Sequence, residues 1–186
     1  MNINQNDPFE PQTFFVSRQP SMSPLTAEMK QFGKKLVQLK LHKDNKIIIS
    51  TDYGNRVLIT KDNINADEIQ QDDITEIVDY DPIKKITMAI GKKDPNINTP
   101  VHWIIHRART DVHAVVQIIN TDLIEKYQKK LPITKEKPPA TLESAKEILK
   151  NIRENKTILI PNQGLLFVGF NLKEIEQNLD TLLKGE

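Results

Sequence analysis

The sequence predicts an α/β layered domain built around a mixed sheet. Two observations carry this: short β-rich runs follow one another in hairpin order through the front half, and amphipathic helices alternate with apolar strands through the back half. The chain has 186 residues, enough for one core that needs no cross-links. It is 38% hydrophobic and 27% charged, the balance of an ordinary folded protein. We divide it into an extended, proline-rich arm over 1–23 and a domain over 24–186.

The arm mixes Asn, Gln, Ser and three prolines around Phe14-Phe15-Val16 and shows neither a helical nor a strand period. Ser23-Pro24 then suits a helix start, because Ser caps free N–H groups and Pro is tolerated in the first turn. Leu25, Met29, Phe32, Leu36 and Leu39 form one apolar stripe of that helix, with Lys30, Lys34 and Lys35 facing water. Strands are expected at Lys46 to Ser50 and Arg56 to Thr60, joined by a turn in which Gly54 or Asn55 takes positive φ. Asn65 to Asp72 reads as a polar turn or short helix, followed by strands from Asp73 to Asp79 and Lys85 to Ile90 around the Asp81-Pro82 turn. Thr99-Pro100 opens a helix to about Arg109, and Val112 to Ile119 is apolar enough for a buried strand. A short helix from Asp122 to Leu131 and a proline-broken loop to Pro139 come next. A helix over Leu142 to Ile152, strands at Thr157 to Ile160 and Gly164 to Phe170, and a helix over Leu172 to Leu183 complete the reading.

Composition narrows the function. A formal charge of +1 argues against a general polyanion binder, so no nucleic-acid partner is expected. Lys126, Lys129, Lys130, Lys135 and Lys137 are the densest basic stretch, but Glu136 and prolines interrupt it, and it reads as a solvated loop. The absence of cysteine removes thiolate metal sites, Cys nucleophiles and disulfides. No apolar run approaches the ~20 residues of a membrane span, and the start has no secretory pattern. The expected setting is cytoplasmic, without a membrane partner.

The stretch from Thr99-Pro100-Val101-His102-Trp103 through Arg107-Ala108-Arg109-Thr110-Asp111-Val112 to Ala114-Val115-Val116 resembles the central signature of class II aldolases and adducin heads. Arg56 to Thr60 with Asp72-Asp73-Ile74, and Ile158 to Gly169, are similar to two further family segments in the same order. The resemblance runs over roughly residues 30 to 183. It implies a three-layer α/β/α fold with a central mixed, mostly antiparallel sheet, and self-association, since the relatives form symmetric rings, commonly tetramers.

The resemblance also implies zinc-dependent aldehyde-lyase chemistry, and here the sequence departs from it. Two histidines one residue apart after the Ala-Val-Val strand, and a third in an Asn-His-Gly turn, hold the metal in the family; the matching positions are Gln117, Ile119 and Gln163. Isoleucine has no lone pair, and a neutral amide oxygen is a poor zinc ligand. The family's acid/base Glu is matched by Asn98, which exchanges no proton near neutral pH. At its phosphate-cradling positions stand Asp62-Asn63 and Asn96-Ile97, and no Gly-Asn-x-Ser turn is recognisable between His42 and Ser50. No catalytic residue, no metal and no cofactor is therefore expected.

The remaining material is His102 and His106, one helical turn apart, and Arg107 and Arg109 at the corner after the helix. These four are the possible ligand-binding residues. For the histidines a structural hydrogen-bonded pair is favoured over a relocated metal site. For the arginines, pairing with Asp111 or capping of the helix is favoured over an anion grip. Gln117 and Gln163 are expected in side-chain contact, with Ile119 filling the volume beside them, and His113 is given no role. The preferred reading is a non-catalytic structural or interaction protein. The alternatives are an aldehyde-lyase with a rebuilt site, acting on a sugar phosphate, and a small-molecule sensor using the vestigial cleft.

Overall fold

A computed structural model of the chain describes residues 12–39, 41 and 46–185. Expectations that fall on residues 1–11, 40, 42–45 and 186 lie outside the described residues, including most of the segment searched between His42 and Ser50. Eight strands form one sheet: β1 (Gln12–Ser17), β2 (Lys46–Tyr53), β3 (Arg56–Thr60), β4 (Ile74–Asp81), β5 (Ile86–Ile90), β6 (Ala114–Ile119), β7 (Thr157–Ile160) and β8 (Gly164–Gly169). Their order across the sheet is β1-β5-β4-β3-β2-β6-β8-β7. Only β1 and β5 run parallel; every other neighbouring pair is antiparallel. The α-helices among the described residues are α1 (Leu25–Gln38), α2 (Thr99–Ala108), α3 (Asp122–Tyr127), α4 (Leu142–Asn151) and α5 (Leu172–Lys184).

Alternation along the strands sorts side chains to two faces, and a helical layer closes each. Met29, Phe32 and Leu36 of α1, Leu123 and Tyr127 of α3, and Ile175 and Leu179 of α5 meet Ile47, Ile49, Leu58, Val116, Ile118, Leu165 and Phe167. On the other face Val101 and Ile105 of α2, with Ala145 and Ile148 of α4, meet Val115, Ile158, Leu166 and Val168. Trp103 of α2 extends this second layer over Ile48, Val57, Ile59 and Ile77. The three-layer arrangement with a mixed, mostly antiparallel sheet is thus the observed architecture.

Differences from the sequence reading are local. The segment Gln12–Ser17, expected as part of an arm, is a strand paired with β5. Asn65 to Asp72 resolves into 3-10 turns at Ala66–Glu68 and Gln71–Asp73, and β4 begins one residue after the expected Asp73 and runs on to Asp81. The helix expected to Leu131 stops at Tyr127. Gly54 takes the positive-φ position of the β2–β3 turn, at φ 61°. No described helix is long and apolar enough to cross a membrane.

Candidate functional site

Helix α2 lies across the sheet so that its polar residues look down on β2 and β6. Its start is satisfied by the chain's own groups. The Asn96 carboxamide oxygen accepts from the Asn98 N–H at 2.8 Å, and both Asp62 carboxylate oxygens accept from the Ile97 N–H at 3.2 and 3.1 Å. A carboxylate here is favoured by the positive end of the helix dipole. Asn98 itself is buried just before the first helical residue.

His102 and His106 point inward from α2 and share one partner, the Ser50 hydroxyl of β2. Ser50 Oγ is 2.7 Å from His102 Nδ1 and 2.9 Å from His106 Nε2, and all three residues are buried. A hydroxyl has a single proton to give, so one imidazole accepts from Ser50 and the other donates to it. The Val112 carbonyl, 3.4 Å from His106 Nδ1, can only accept. That places a proton on Nδ1 of His106 and leaves its Nε2 to accept from Ser50. His102 then donates from Nδ1; its buried Nε2 lies outside strict hydrogen-bond geometry, and the Gln117 side chain is the polar group that acts on this ring from β6. Burial pushes both imidazoles down to about 4 from their usual 6.5, since a charged ring there would lose its hydration. For His106 the neighbouring His102 adds to the depression, while Asp52 opposes it.

Beyond His102 on the same face of β6 sits Gln117, buried, whose Nε2 donates to Gln163 Oε1 at 2.7 Å. The expected contact between these two amides is present. The turn carrying Gln163 closes tightly, because Gly164 brings β8 so near β6 that a Cβ there would lie 2.3 Å from the Ile118 carbonyl oxygen. Ile119, partly buried, packs with the cluster of Ile48, Trp103 and their neighbours. Gln117 and Gln163 spend their amides on each other and Ile119 offers no donor, so these positions do not fit a zinc ion. Among the described residues no group of three or more His, Cys, Asp or Glu side chains could hold a metal.

The remaining residues singled out from the sequence do not join this hollow. Arg109 forms a two-pronged pair with Asp111, at 2.8 and 2.7 Å, and donates to the Ile152 carbonyl at 2.7 Å; Asp111 is held down to about 2 by that guanidinium. Arg107 lies over the Trp103 ring at 4.0 Å and donates to the Asn55 carbonyl. Two features had no place in the sequence reading. Ser50 is the hub of the histidine pair, and its signal was a polar residue interrupting the apolar run Ile47-Ile48-Ile49 at a position facing α2. His113, given no role, pairs through Nδ1 with Asp52 Oδ2 at 2.8 Å and packs edge-on against Phe170.

The profile of the Class II Aldolase and Adducin N-terminal domain matches residues 27–117. Solved structures agree over nearly the whole chain. An L-fuculose 1-phosphate aldolase superimposes with TM-score 0.68 at 21% identity, covering 89% of each chain. YgbL from Klebsiella pneumoniae gives 0.70 at 16%, covering 85% of this chain and 84% of its own. A sugar-phosphate aldolase from Thermotoga maritima gives 0.59 at 12%, covering 86% and 93%. The architecture, with its order of helix, corner and strand, is that of a class II aldolase-type domain. Residues 27–117 match that family's N-terminal domain, and the chain as a whole has the class II aldolase fold. No curated protein matches it in sequence.

Proposed function

We propose that this chain is a non-catalytic member of its family, metal-free at the family site, that acts as a structural or interaction protein and self-associates. One observation supports the reading: Gln117 and Gln163, two of the positions that the resemblance matches to metal-binding histidines, hydrogen-bond to each other, and the third, Ile119, packs with apolar neighbours. An aldol cleavage of the family type needs an electrophile to take up the electrons of the breaking carbon–carbon bond and a group to move the proton. Gln117, Ile119, Gln163 and Asn98 supply neither. Asp62 supports the same reading, since its fixed negative charge on the Ile97 N–H opposes an anionic substrate there.

The test is metal analysis of purified chain together with an aldol-cleavage assay on L-fuculose 1-phosphate, the substrate named for the fuculose aldolase relative. The expected result is substoichiometric metal and no turnover; a bound transition metal with turnover sinks the reading. The triple substitution Gln117→His, Ile119→His and Gln163→His gives a positive control. It is expected to take up about one equivalent of zinc, because three imidazoles on a preformed backbone meet the ion's preference.

A second reading, a small-molecule sensor, draws on an open hollow of about 350 Å³ beside Gln163, bordered by Glu136, Lys137, Pro138, Pro139, Pro161 and Asn162. A thermal-shift screen with phosphorylated sugars addresses it, since a ligand bound only to the folded state raises the melting point. No shift with any anionic metabolite would count against it.

A further inference from the structure

The chain from β1 to α1 is held at two points of unequal strength. Alone among the described strands, β1 has no buried residue, and its pairing with β5 is parallel and broken in register between Phe15 and Ser17. Arg18 and Gln19, which follow it, are exposed. The second point is Ser21, 1% exposed. Its hydroxyl donates to Glu76 Oε2 of β4 at 3.1 Å and accepts from the Ser23 N–H at 3.3 Å, while its carbonyl accepts from Gln71 Nε2 at 2.9 Å. Glu76, 6% exposed, holds Arg56 of β3 on its other oxygen. A carboxylate only accepts, so the Ser21 proton is committed to Glu76, and a bond to a charged acceptor is stronger than the neutral bonds around it. Two residues further on, Ser23 and Pro24 lead into α1, which is anchored separately by Met29, Phe32 and Leu36.

We infer that residues 12–22 form a strap that opens as one unit from an otherwise intact domain, hinged at Ser23-Pro24 and latched by the hydrogen bond from Ser21 to Glu76. Opening breaks little apolar contact, Phe15 being the β1 side chain packed against a core cluster. It also strands no charge. Glu76 keeps Arg56, whose side chain reaches solvent, so the carboxylate is paired in both states. The open form uncovers the outer edge of β5 and the Glu76–Arg56 pair. The latch has a sign as well: it holds while residue 21 offers a proton, and a negative charge placed there meets the Glu76 carboxylate and shifts the strap toward its open form.

The experiment uses the full chain and follows amide hydrogen exchange residue by residue at low urea concentrations, with circular dichroism as the check on folding. In the wild type, the amides of β1 are expected to exchange through an opening that leaves β6 and β8 protected. Ser21→Asp is expected to speed exchange in 12–22 by about tenfold or more and to leave β6 and β8 unchanged. Adding Glu76→Gln to that variant is expected to return the rate toward the wild-type value, because a carboxamide donates to the new carboxylate, whereas a mere packing defect at position 21 is not repaired by it. Ser21→Ala, which removes the donor without adding charge, is expected to give a smaller acceleration in the same residues. Exchange of β1 in step with β6 and β8 overturns the separate strap. Acceleration spread evenly over the domain, none in 12–22, or no slowing by Glu76→Gln overturns the latch. If Ser21→Asp does not fold, the pattern in Ser21→Ala decides: acceleration confined to 12–22 supports the latch, and any other pattern overturns it.

Discussion

The two faces of the sheet hold the same strands in place by different means. Under α1, α3 and α5 the interior is a continuous set of aliphatic and aromatic side chains, with Phe167, Leu58 and Tyr127 fully buried. Under α2 the interior is divided: aliphatic clusters flank a polar seam of Ser50, His102, His106 and Gln117, all buried. The first face gains from removing apolar area from water and asks for no directional match. The second depends on each hydrogen bond being kept, because a buried polar group without its partner costs more than the bond itself contributes. It is the second face that carries the positions on which the proposed function rests: a pair of mutually bonded amides and, beside it, a hydroxyl-bridged histidine pair.

The comparison is broken most strongly from the apolar side. Phe167→Ala, at a residue with no exposed surface, is expected to lower unfolding free energy by about 3–5 kcal/mol in urea titration. A loss under about 1 kcal/mol would show that this face is not the dominant one. Mild acidification attacks the seam first, because the paired carboxylates such as Asp111 and Asp73 give up their stabilisation only at lower pH. In the unfolded chain the imidazoles titrate near 6.5, whereas His102 and His106 titrate near 4 when folded, so the unfolded state binds more protons between those values. Stability is therefore full above 6.5 and declines as pH falls toward 4. With two protons taken up, the slope approaches about 2.7 kcal/mol per pH unit. Denaturation midpoints that stay flat over that window would remove the buried, neutral pair. Ser50→Ala strands one donor and one acceptor and is expected to cost about 1–3 kcal/mol without abolishing the acid dependence. Its midpoint at neutral pH and its slope below 6.5 separate the two effects. The smallest change is expected at Asp111→Asn, where an exposed pair with Arg109 is lost for no more than about 1 kcal/mol, diminishing further in high salt.

How far each face was legible follows from how local its signals are. The helix, corner and strand from Thr99 to Val116 could be read because its capping Pro, its 3.6-residue stripe and its apolar strand all lie within the segment itself. Gln117 and Gln163 were placed together through the family resemblance, and their mutual bond followed from the chemistry of amides. Ser50 showed only as a polar residue after Ile47-Ile48-Ile49; its role was not legible, since it depends on α2 crossing β2 some fifty residues away in sequence. β1 was missed for a related reason. Phe14, Phe15 and Val16 put apolar groups on both faces of the strand, which hides the period of two, and the parallel partner lies far along the chain.

That last separation matters during synthesis. β1 leaves the ribosome about 70 residues ahead of its partner Ile86–Ile90. At some 5–20 residues per second the strand waits for roughly 4–14 s before its partner among the described residues exists. Through that interval Phe14, Phe15 and Val16 are unsatisfied in a nascent polypeptide, so this short stretch is where a holdase chaperone would find its grip, and where translation speed has the most influence over the yield of correctly folded protein.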